Sequence, residues 1–322
     1  MARCLGTIEG LRLAAGVPLS RHTRFAIGGH ADLFGLAGTP QALGAAFQAA
    51  RMAGVPCYLL GEGSNVVAAD EGFRGLVLRY TAAGLKFRDG AIEAASGGSL
   101  QAVVDLTLER GLEGLHALDR IPGSVGGAVY GNAGAYGRQI DEFARRVDVL
   151  DGCEIRRFGP SECEFDYRES IFKRRKDWLI LGVRLALPPG NAAALRARAR
   201  EIRALRDEKF PPSMRCAGSI FKNLFVDSLP PAVAGLVPQR AVRGGKVASA
   251  FFLEQVGAKG MRRGGIEVAP YHANLIYNRG GGSAAQIREL VRELKRRVLD
   301  RFGFEVEEEV QFIGRGGPGL RE

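Results

Sequence analysis

The 322-residue sequence predicts an α+β fold in two regions, and three features lead there. Short apolar runs bounded by glycine, proline or aspartate mix with stretches of helical spacing over the first ~190 residues, without the strict βαβ rhythm of a doubly wound sheet. No G-x-G-x-x-G follows a clear first strand. The composition then shifts at "PPGNAAALRARAREIRALRDEKFPPS", which reads as one long helix leaving the first region and puts the boundary between 190 and 210.

The elements follow in order. "TPQALGAAFQAARMAG" is helical, opening with Thr39 as N-cap and Pro40 at the first helical position, where a missing N–H costs nothing. "GLVLRY" and "AIEAASG" are strand-like, "SLQAVVDLTLERG" is helical, and "RVDVLDG" and "WLILGVRLAL" are strands again. The last helix starts from an N-cap at Ser283 and carries one apolar stripe, Ile287, Leu290, Val291, Leu294 and Val298, which should pack on a small sheet. "FEVEEEVQFIG" reads as a closing strand and "RGGPGLRE" as a frayed tail.

Composition narrows the function classes. Hydrophobic residues make up 46% and charged residues 25%, ordinary values for a folded chain. The start, "MARCLGTIEGLRLAAGVPLSRHT", has no long apolar core with a cleavage site. No segment reaches the ~18 uncharged apolar residues a membrane span needs, so a cytoplasmic protein without membrane insertion is expected. The five cysteines are odd in number and scattered, and the four histidines form no HExxH pattern; reduced thiols and no metal are expected. The net charge of +10 favours anionic partners: nucleic acid, an acidic surface or phosphorylated small molecules. Much of the positive charge lies in "RARAREIRALRDEK" and "RELVRELKRRVLDR", mixed with acids and apolar residues at helical spacing and without interleaved aromatics. Those are read as solvated helix faces, not nucleic-acid contacts.

Two glycine-rich stretches remain. "LLGEGSNVV" is an apolar strand running into Gly61, Gly63, Ser64 and Asn65, a loop able to turn several N–H groups toward an anion. About sixty residues later comes "IPGSVGGAVYGNAGAYG", in which six of seventeen residues are glycine. Either alone reads equally as a turn set; together, in a basic chain, they favour a dinucleotide or diphosphate ligand over plain turns.

The order "TRFAIGG", "LGEGSNVVAADEGFRGLVL", "GLEGLHALDRIPGSVGGAVYGNAGAYG", "FDYRESIFK", "AGSIFKN" and "EEVQFIG" resembles the UDP-N-acetylenolpyruvoylglucosamine reductase family over residues 20 to 314. The resemblance implies an FAD-binding fold of the vanillyl-alcohol oxidase (PCMH) type in two subdomains, with a C-terminal α+β substrate domain. The implied divisions are an N-terminal segment 1–19, a flavin region 20–195 split near 80, a substrate domain 205–315 and a tail 316–322. It further implies bound FAD, NADPH as reductant, and reduction of the enolpyruvyl ether on a UDP-sugar in peptidoglycan synthesis; a monomer is expected, although the sequence does not reveal oligomeric state.

Residue by residue, the resemblance makes Arg168 of "DYRES" the catalytic arginine, a guanidinium fork for a carboxylate becoming enolate-like. Ser219 of "AGSIFKN" is implied as proton donor and Glu309 as the glutamate assisting proton delivery or stabilising the intermediate. Three glutamates in a row leave the register open; strand alternation would put Glu307 and Glu309 on one face, making Glu307 the fallback and Glu308 the solvent-facing residue. The implied cofactor contacts are Gly61, Gly63, Ser64 and Asn65 in the first loop and Ile121, Pro122, Gly123, Ser124, Gly126, Gly127, Asn132 and Ala133 in the second. Tyr136, Lys222 and Asn223 are the implied substrate contacts. Leu224, the loosely similar stretch over 224–260, and Gln311 depart from the family pattern. The short spacing from Arg168 to Ser219 suggests the subgroup lacking an extra substrate-clamping loop. Another flavoprotein of the same fold, and a non-catalytic nucleotide- or nucleic-acid-binding protein, stay open as alternatives.

Overall fold

A computed structural model describes residues 2–314; the tail 316–322 lies outside them. The chain forms two compact units, each assembled from separated segments. The first comprises Met1–Val17, Ala31–Glu62 and Arg74–Pro212; the second comprises Pro18–His30, Gly63–Phe73 and Ser213–Glu322. The sequence-based division at 195–205 thus differs from the compact units, because two early segments, 18–30 and 63–73, pack with the C-terminal part.

In the first unit a four-stranded sheet has the order Leu11–Pro18, His30–Ala37, Phe73–Tyr80, Cys57–Leu59. The helix Pro40–Met52 covers it, capped as expected: the Thr39 hydroxyl accepts from the Ala42 N–H at 3.1 Å. The helix residues Ala42, Leu43, Ala46 and Ala50 share a core with Leu76 and Leu78 of the sheet and with Leu150, Leu179 and Leu181 from elsewhere. Close approach is required there, since a Cβ at Gly44 would come within 2.8 Å of the Leu150 side chain.

Those three leucines come from the second sheet, which is five-stranded and antiparallel. Its order is Glu154–Phe158, Ala144–Asp151, Trp178–Leu185, Ala91–Ala95, Leu85–Arg88. Alternation splits its central strands between two cores, Leu150, Leu179 and Leu181 entering the first and Val149 and Ile180 the second, and a register shift opposite Asp148 and Val149 turns Val183 into the second as well. A sheet buried on both faces needs the nearly continuous apolar run "WLILGVRL". The second core also takes in Leu100, Val103 and Val104 of the helix Leu100–Glu109, Val125 and Val129 of the short helix Val125–Tyr130, and Leu195 and Ala199 of the helix Ala192–Lys209.

In the second unit the sheet Arg215–Ser219, Leu275–Asn278, Ile266–Val268, Arg262–Arg263 carries the long helix Ala284–Phe302, whose expected stripe, Ile287 through Val298, is buried against Ile266, Val268 and Ile276. Ser283 and Gln286 close a capping box at its start. A second acceptor comes from far upstream: the Asp70 carboxylate takes the N–H groups of Ala284 and Ala285 at 2.8 and 2.9 Å. That contact, with the helix dipole behind it, draws the 63–73 segment into this unit. The closing strand is only Gln311–Ile313, paired in parallel with Val66–Ala68; residues 304–310 run irregularly with a single bridge, Phe221 to Glu308.

One buried charge sets a pH dependence. Glu267 is 3% exposed and accepts from Arg262 at 3.0 Å, Tyr277 at 3.0 Å and Arg279 at 3.1 Å. Burial pushes its carboxyl up, but the hydrogen bonds and charges of these partners outweigh burial and leave it below the usual carboxylate range. A depressed carboxyl stabilises the fold above the unfolded value and loses that contribution as pH falls through the folded one. Glu267→Gln should therefore cost about 2 kcal/mol at neutral pH. The gap from wild type in thermal melts should close as pH drops below about 4.3, the ordinary glutamate value; a gap that stays constant to pH 3 would show the charge to be irrelevant.

Candidate functional site

The expected site residues divide between the units. Gly61, the segment Ile121 to Tyr136 and Arg168 belong to the first; Gly63, Ser64, Asn65, Ser219, Lys222, Asn223 and Glu309 belong to the second.

In the first unit the two glycine-rich stretches abut. The strand Cys57–Leu59 delivers the chain to Gly61, where a Cβ would fall 2.7 Å from the Ser124 hydroxyl oxygen. Ser124 caps the helix Val125–Tyr130 by accepting from the Gly127 N–H at 3.2 Å. Gly126 lies where a Cβ would be 2.9 Å from the Ser96 Cβ, and its N–H donates to the Ser96 carbonyl at 2.8 Å. This glycine therefore has a packing reason in the protein itself. The stretch is anchored just upstream: Asp119 is buried and takes a bidentate pair from Arg203 at 2.9 and 3.0 Å, while Arg120 reaches back to Asp207 at 2.6 Å. The basic helix Ala192–Lys209 thus spends part of its charge holding the approach to "IPGSVGG".

The second half of the glycine run holds Arg168. Asp166 and Glu169 exchange both main-chain hydrogen bonds, 3.1 and 3.0 Å, so Tyr167 and Arg168 occupy a tight turn with Arg168 at φ 57°. Left-handed backbone in a long side chain is strained and persists only when its surroundings hold it. Three bonds do: Asn132 Nδ2 to the Asp166 carbonyl at 3.0 Å, Ser170 Oγ to the Tyr130 carbonyl at 2.7 Å, and Arg168 Nη2 to the Gly134 carbonyl at 2.8 Å. Lys173 also donates to the Arg168 carbonyl. Asn132 is fully buried and its Oδ1 accepts from the Asp141 N–H at 3.2 Å. Both ends of this side chain, expected to meet the cofactor, are engaged in positioning the arginine turn. Ala133 packs on the core beside it. Next along, Gly134–Ala135 pairs with Arg138–Gln139 around a two-residue loop, Tyr136 and Gly137, at φ 51° and 82°. Two positive φ values match a type I′ hairpin turn, and Tyr136 stands 47% exposed at its tip.

In the second unit Gly63 has φ 65°, and a Cβ there would sit 2.0 Å from the His22 carbonyl oxygen, so only glycine fits. Asn65 Nδ2 donates to the Glu309 carbonyl at 2.9 Å, and the Gln311 N–H donates back to the Asn65 carbonyl at 3.0 Å. Asn65, another expected cofactor contact, thereby steadies the segment bearing Glu309. Ser219 ends the strand Arg215–Ser219 just past an irregularity in pairing, after Gly218 at φ 78°. The Glu309 N–H donates to the Ile220 carbonyl at 2.7 Å, so the chain segments carrying Ser219 and Glu309 run side by side. Asn274, buried and unanticipated from the sequence, clamps the same place: its Oδ1 accepts from the Phe221 N–H at 2.9 Å, its Nδ2 donates to the Phe221 carbonyl at 2.8 Å, and its carbonyl accepts from Ile220 at 3.1 Å.

The glutamate faces need correction. Glu308 is not the solvent-facing residue: it is 30% exposed and meets Lys295 at 3.3 Å, whereas Glu307 is 69% exposed and meets Lys222 Nζ at 2.6 Å. Alternation fails because 304–310 is irregular, not a strand. Lys222, expected near substrate phosphates, also donates its main-chain N–H to the Glu307 carbonyl at 2.9 Å; Asn223 beside it is exposed. Burial raises the Cys57 and Cys163 thiols to about 12, so neither is a thiolate at neutral pH.

The sequence model of the FAD binding domain matches residues 31–154, and that of the UDP-N-acetylenolpyruvoylglucosamine reductase C-terminal domain matches residues 210–313. A protein named UDP-N-acetylenolpyruvoylglucosamine reductase from Solibacter usitatus is 53% identical over 310 residues, spanning 96% of this chain and 99% of its own. One of the same name from Rubrobacter xylanophilus is 37% identical over 313 residues, spanning 96% of this chain and 98% of its own. The crystal structure of the UDP-N-acetylenolpyruvylglucosamine reductase from Thermus caldophilus superposes with a TM-score of 0.74 at 27% identity, covering 94% of this chain and all of that one.

Proposed function

The chain belongs to the UDP-N-acetylenolpyruvoylglucosamine reductase family, and from that premise we propose how its residues carry the reaction. It is an FAD-containing oxidoreductase that reduces the enolpyruvyl ether of a UDP-N-acetylglucosamine to UDP-N-acetylmuramate, a step of peptidoglycan precursor synthesis. Near-full-length identity of 53% carries this conclusion.

FAD, when bound, supplies the hydride relay from NADPH to the enolpyruvyl methylene carbon. The residues present fit such a cofactor: beside the turn that begins at Gly61, the buried Nε of Arg79 has no hydrogen-bond partner among the described residues, a polar group that an anionic cofactor would complete. Gly61, Gly63, Ser64 and Asn65, with Ile121, Pro122, Gly123, Ser124, Gly126, Gly127, Asn132 and Ala133, are the residues assigned to hold it. Arg168 meets the substrate carboxylate as negative charge grows on it, its guanidinium plane fixed by the bond to Gly134. Ser219 gives a proton to the carbon bearing that carboxylate, and Glu309 assists the transfer. Tyr136, Lys222 and Asn223 face the nucleotide-sugar. The N-terminal region serves the flavin, the C-terminal region serves the substrate, and the protein works as a cytoplasmic monomer without nucleic acid, in the subgroup lacking the extra clamping loop. Gel filtration at twice the chain mass would overturn the monomer.

The test of the reaction itself is direct. The purified protein should release FAD on denaturation and consume NADPH only when the enolpyruvyl UDP-sugar is added. Yellow protein that oxidises NADPH indifferently to that substrate would favour another flavoprotein of the same fold.

A further inference from the structure

The apolar strand Phe73–Tyr80 carries two cations, Arg74 and Arg79, of which Arg74 pairs with Asp32 at the surface. Arg79 differs: its Nε is buried and has no hydrogen-bond partner among the described residues. Burial lowers its pKa, opposed by the nearby Glu62 carboxylate. A guanidinium taken out of water without bidentate pairing is costly, and such a group is kept where an anion completes it.

Its place in the sheet says which anion. Leu76, Leu78 and Tyr80 point into the core under the helix Pro40–Met52, so Val77 and Arg79 face the other way. The parallel neighbour aligns Tyr58 with Val77 and Leu59 with Leu78, and the Leu60 N–H donates to the Leu78 carbonyl at 2.8 Å. Arg79 therefore stands beside the point where the chain enters the Gly61–Glu62 turn. Tyr58, on the same face, is raised by burial and by its neighbour Tyr130, the last residue of the helix that Ser124 caps. Gly61 in turn abuts Ser124. The strand face bearing Arg79 and the junction of the two glycine-rich stretches thus lie together in the first unit.

We propose that Arg79 is a cofactor-binding residue whose guanidinium pairs with the pyrophosphate of the bound dinucleotide at the junction of the Gly61 and Ser124 turns. The proposal rests on the flavin reading above. A diphosphate could also come from NADPH or from the UDP-sugar, and the experiment separates them.

Full-length protein freed of flavin is titrated with FAD and with riboflavin, which has no phosphate, following flavin fluorescence. Arg79→Met keeps the packing of the stem and should weaken FAD at least about 10-fold, about 1.4 kcal/mol, with riboflavin unchanged. Arg79→Lys, which keeps the charge and loses the fork, should fall between. Glu62→Gln, which removes a competing anion, should bind FAD no more weakly than wild type. Equal loss of FAD and riboflavin would reduce Arg79 to a prop of the sheet. Unchanged FAD affinity with a raised KM for NADPH or for the UDP-sugar would assign the cation to that ligand instead, and a Glu62→Gln variant that loses FAD as Arg79→Met does would make Glu62 its partner; each overturns the proposal. Wild type that takes up no FAD would sink the flavin reading itself.

Discussion

Ser219→Ala will leave reduction of the flavin by NADPH at the wild-type rate and slow its reoxidation by the enolpyruvyl substrate by about 10²- to 10⁴-fold, the usual worth of a positioned general acid. The asymmetry follows from where the proton is consumed: Ser219 would protonate the carbon beside the carboxylate once the methylene carbon has received hydride, whereas oxidation of NADPH asks no proton of this side chain. The substitution removes one hydroxyl and leaves its frame intact. That frame is made of the Ile220 carbonyl accepting from Glu309, of Asn274 clamped on both polar groups of Phe221, and of strand pairing between Ser219 and Leu275. Folding stability should stay within about 0.5 kcal/mol of wild type. Loss of bound flavin, or equal slowing of both half-reactions, would make Ser219 structural and remove it from proton transfer.

Arg168→Lys should be nearly as damaging, lowering the same half-reaction by about 10²- to 10³-fold, as when one preorganised donor to a developing oxyanion is lost. Charge is conserved, so the effect isolates geometry. An ammonium cannot present the planar fork that meets both oxygens of a carboxylate. Of the bonds that hold the backbone at φ 57°, the substitution removes only that from Arg168 Nη2 to the Gly134 carbonyl and leaves the Asp166–Glu169 pair, Asn132 and Ser170 in place, so stability should fall by no more than about 1 kcal/mol. Normal substrate-dependent reoxidation in this variant would exclude Arg168 from the reaction.

The sequence was readable wherever one periodicity dominated. The helix Ala284–Phe302 was legible from its stripe and its Ser283 cap, and the doubly buried strand Trp178–Leu185 from its apolar run. The strands Leu11–Pro18 and His30–Ala37 were not, because half-exposed positions and internal glycines blur their alternation. The closing strand was overextended: "EVEEEV" reads as extended chain, yet it is pinned by the N–H groups of Glu309 and Val310 on the Ile220 carbonyl and by the Lys222 N–H on the Glu307 carbonyl, not by a continuous ladder. Long-range partners were invisible for a plainer reason. Asp70 on the helix start, Asn274 on Phe221 and Asn132 on the Arg168 turn meet residues 214, 53 and 34 positions away, and no local pattern encodes such pairings. The glycine run was flagged for a ligand, and its low side-chain content serves packing as well: Gly126 on Ser96 and the turn at Gly137 give the protein a reason of its own. Arg79 was not singled out, since "GLVLRY" reads simply as a strand and only the structure shows its Nε buried without a partner among the described residues.

The central claim is that one flavin serves two half-reactions, with Arg168, Ser219 and Glu309 acting only in the second. Anaerobic stopped-flow at the flavin absorbance band tests it most directly: the holoenzyme is bleached with NADPH and then mixed with UDP-N-acetylglucosamine enolpyruvate. Full recovery of the oxidised band in wild type, with bleaching intact and recovery slowed in Ser219→Ala, is the predicted result. Bleaching without recovery in wild type would contradict it, keeping the flavin and removing the muramate-forming step.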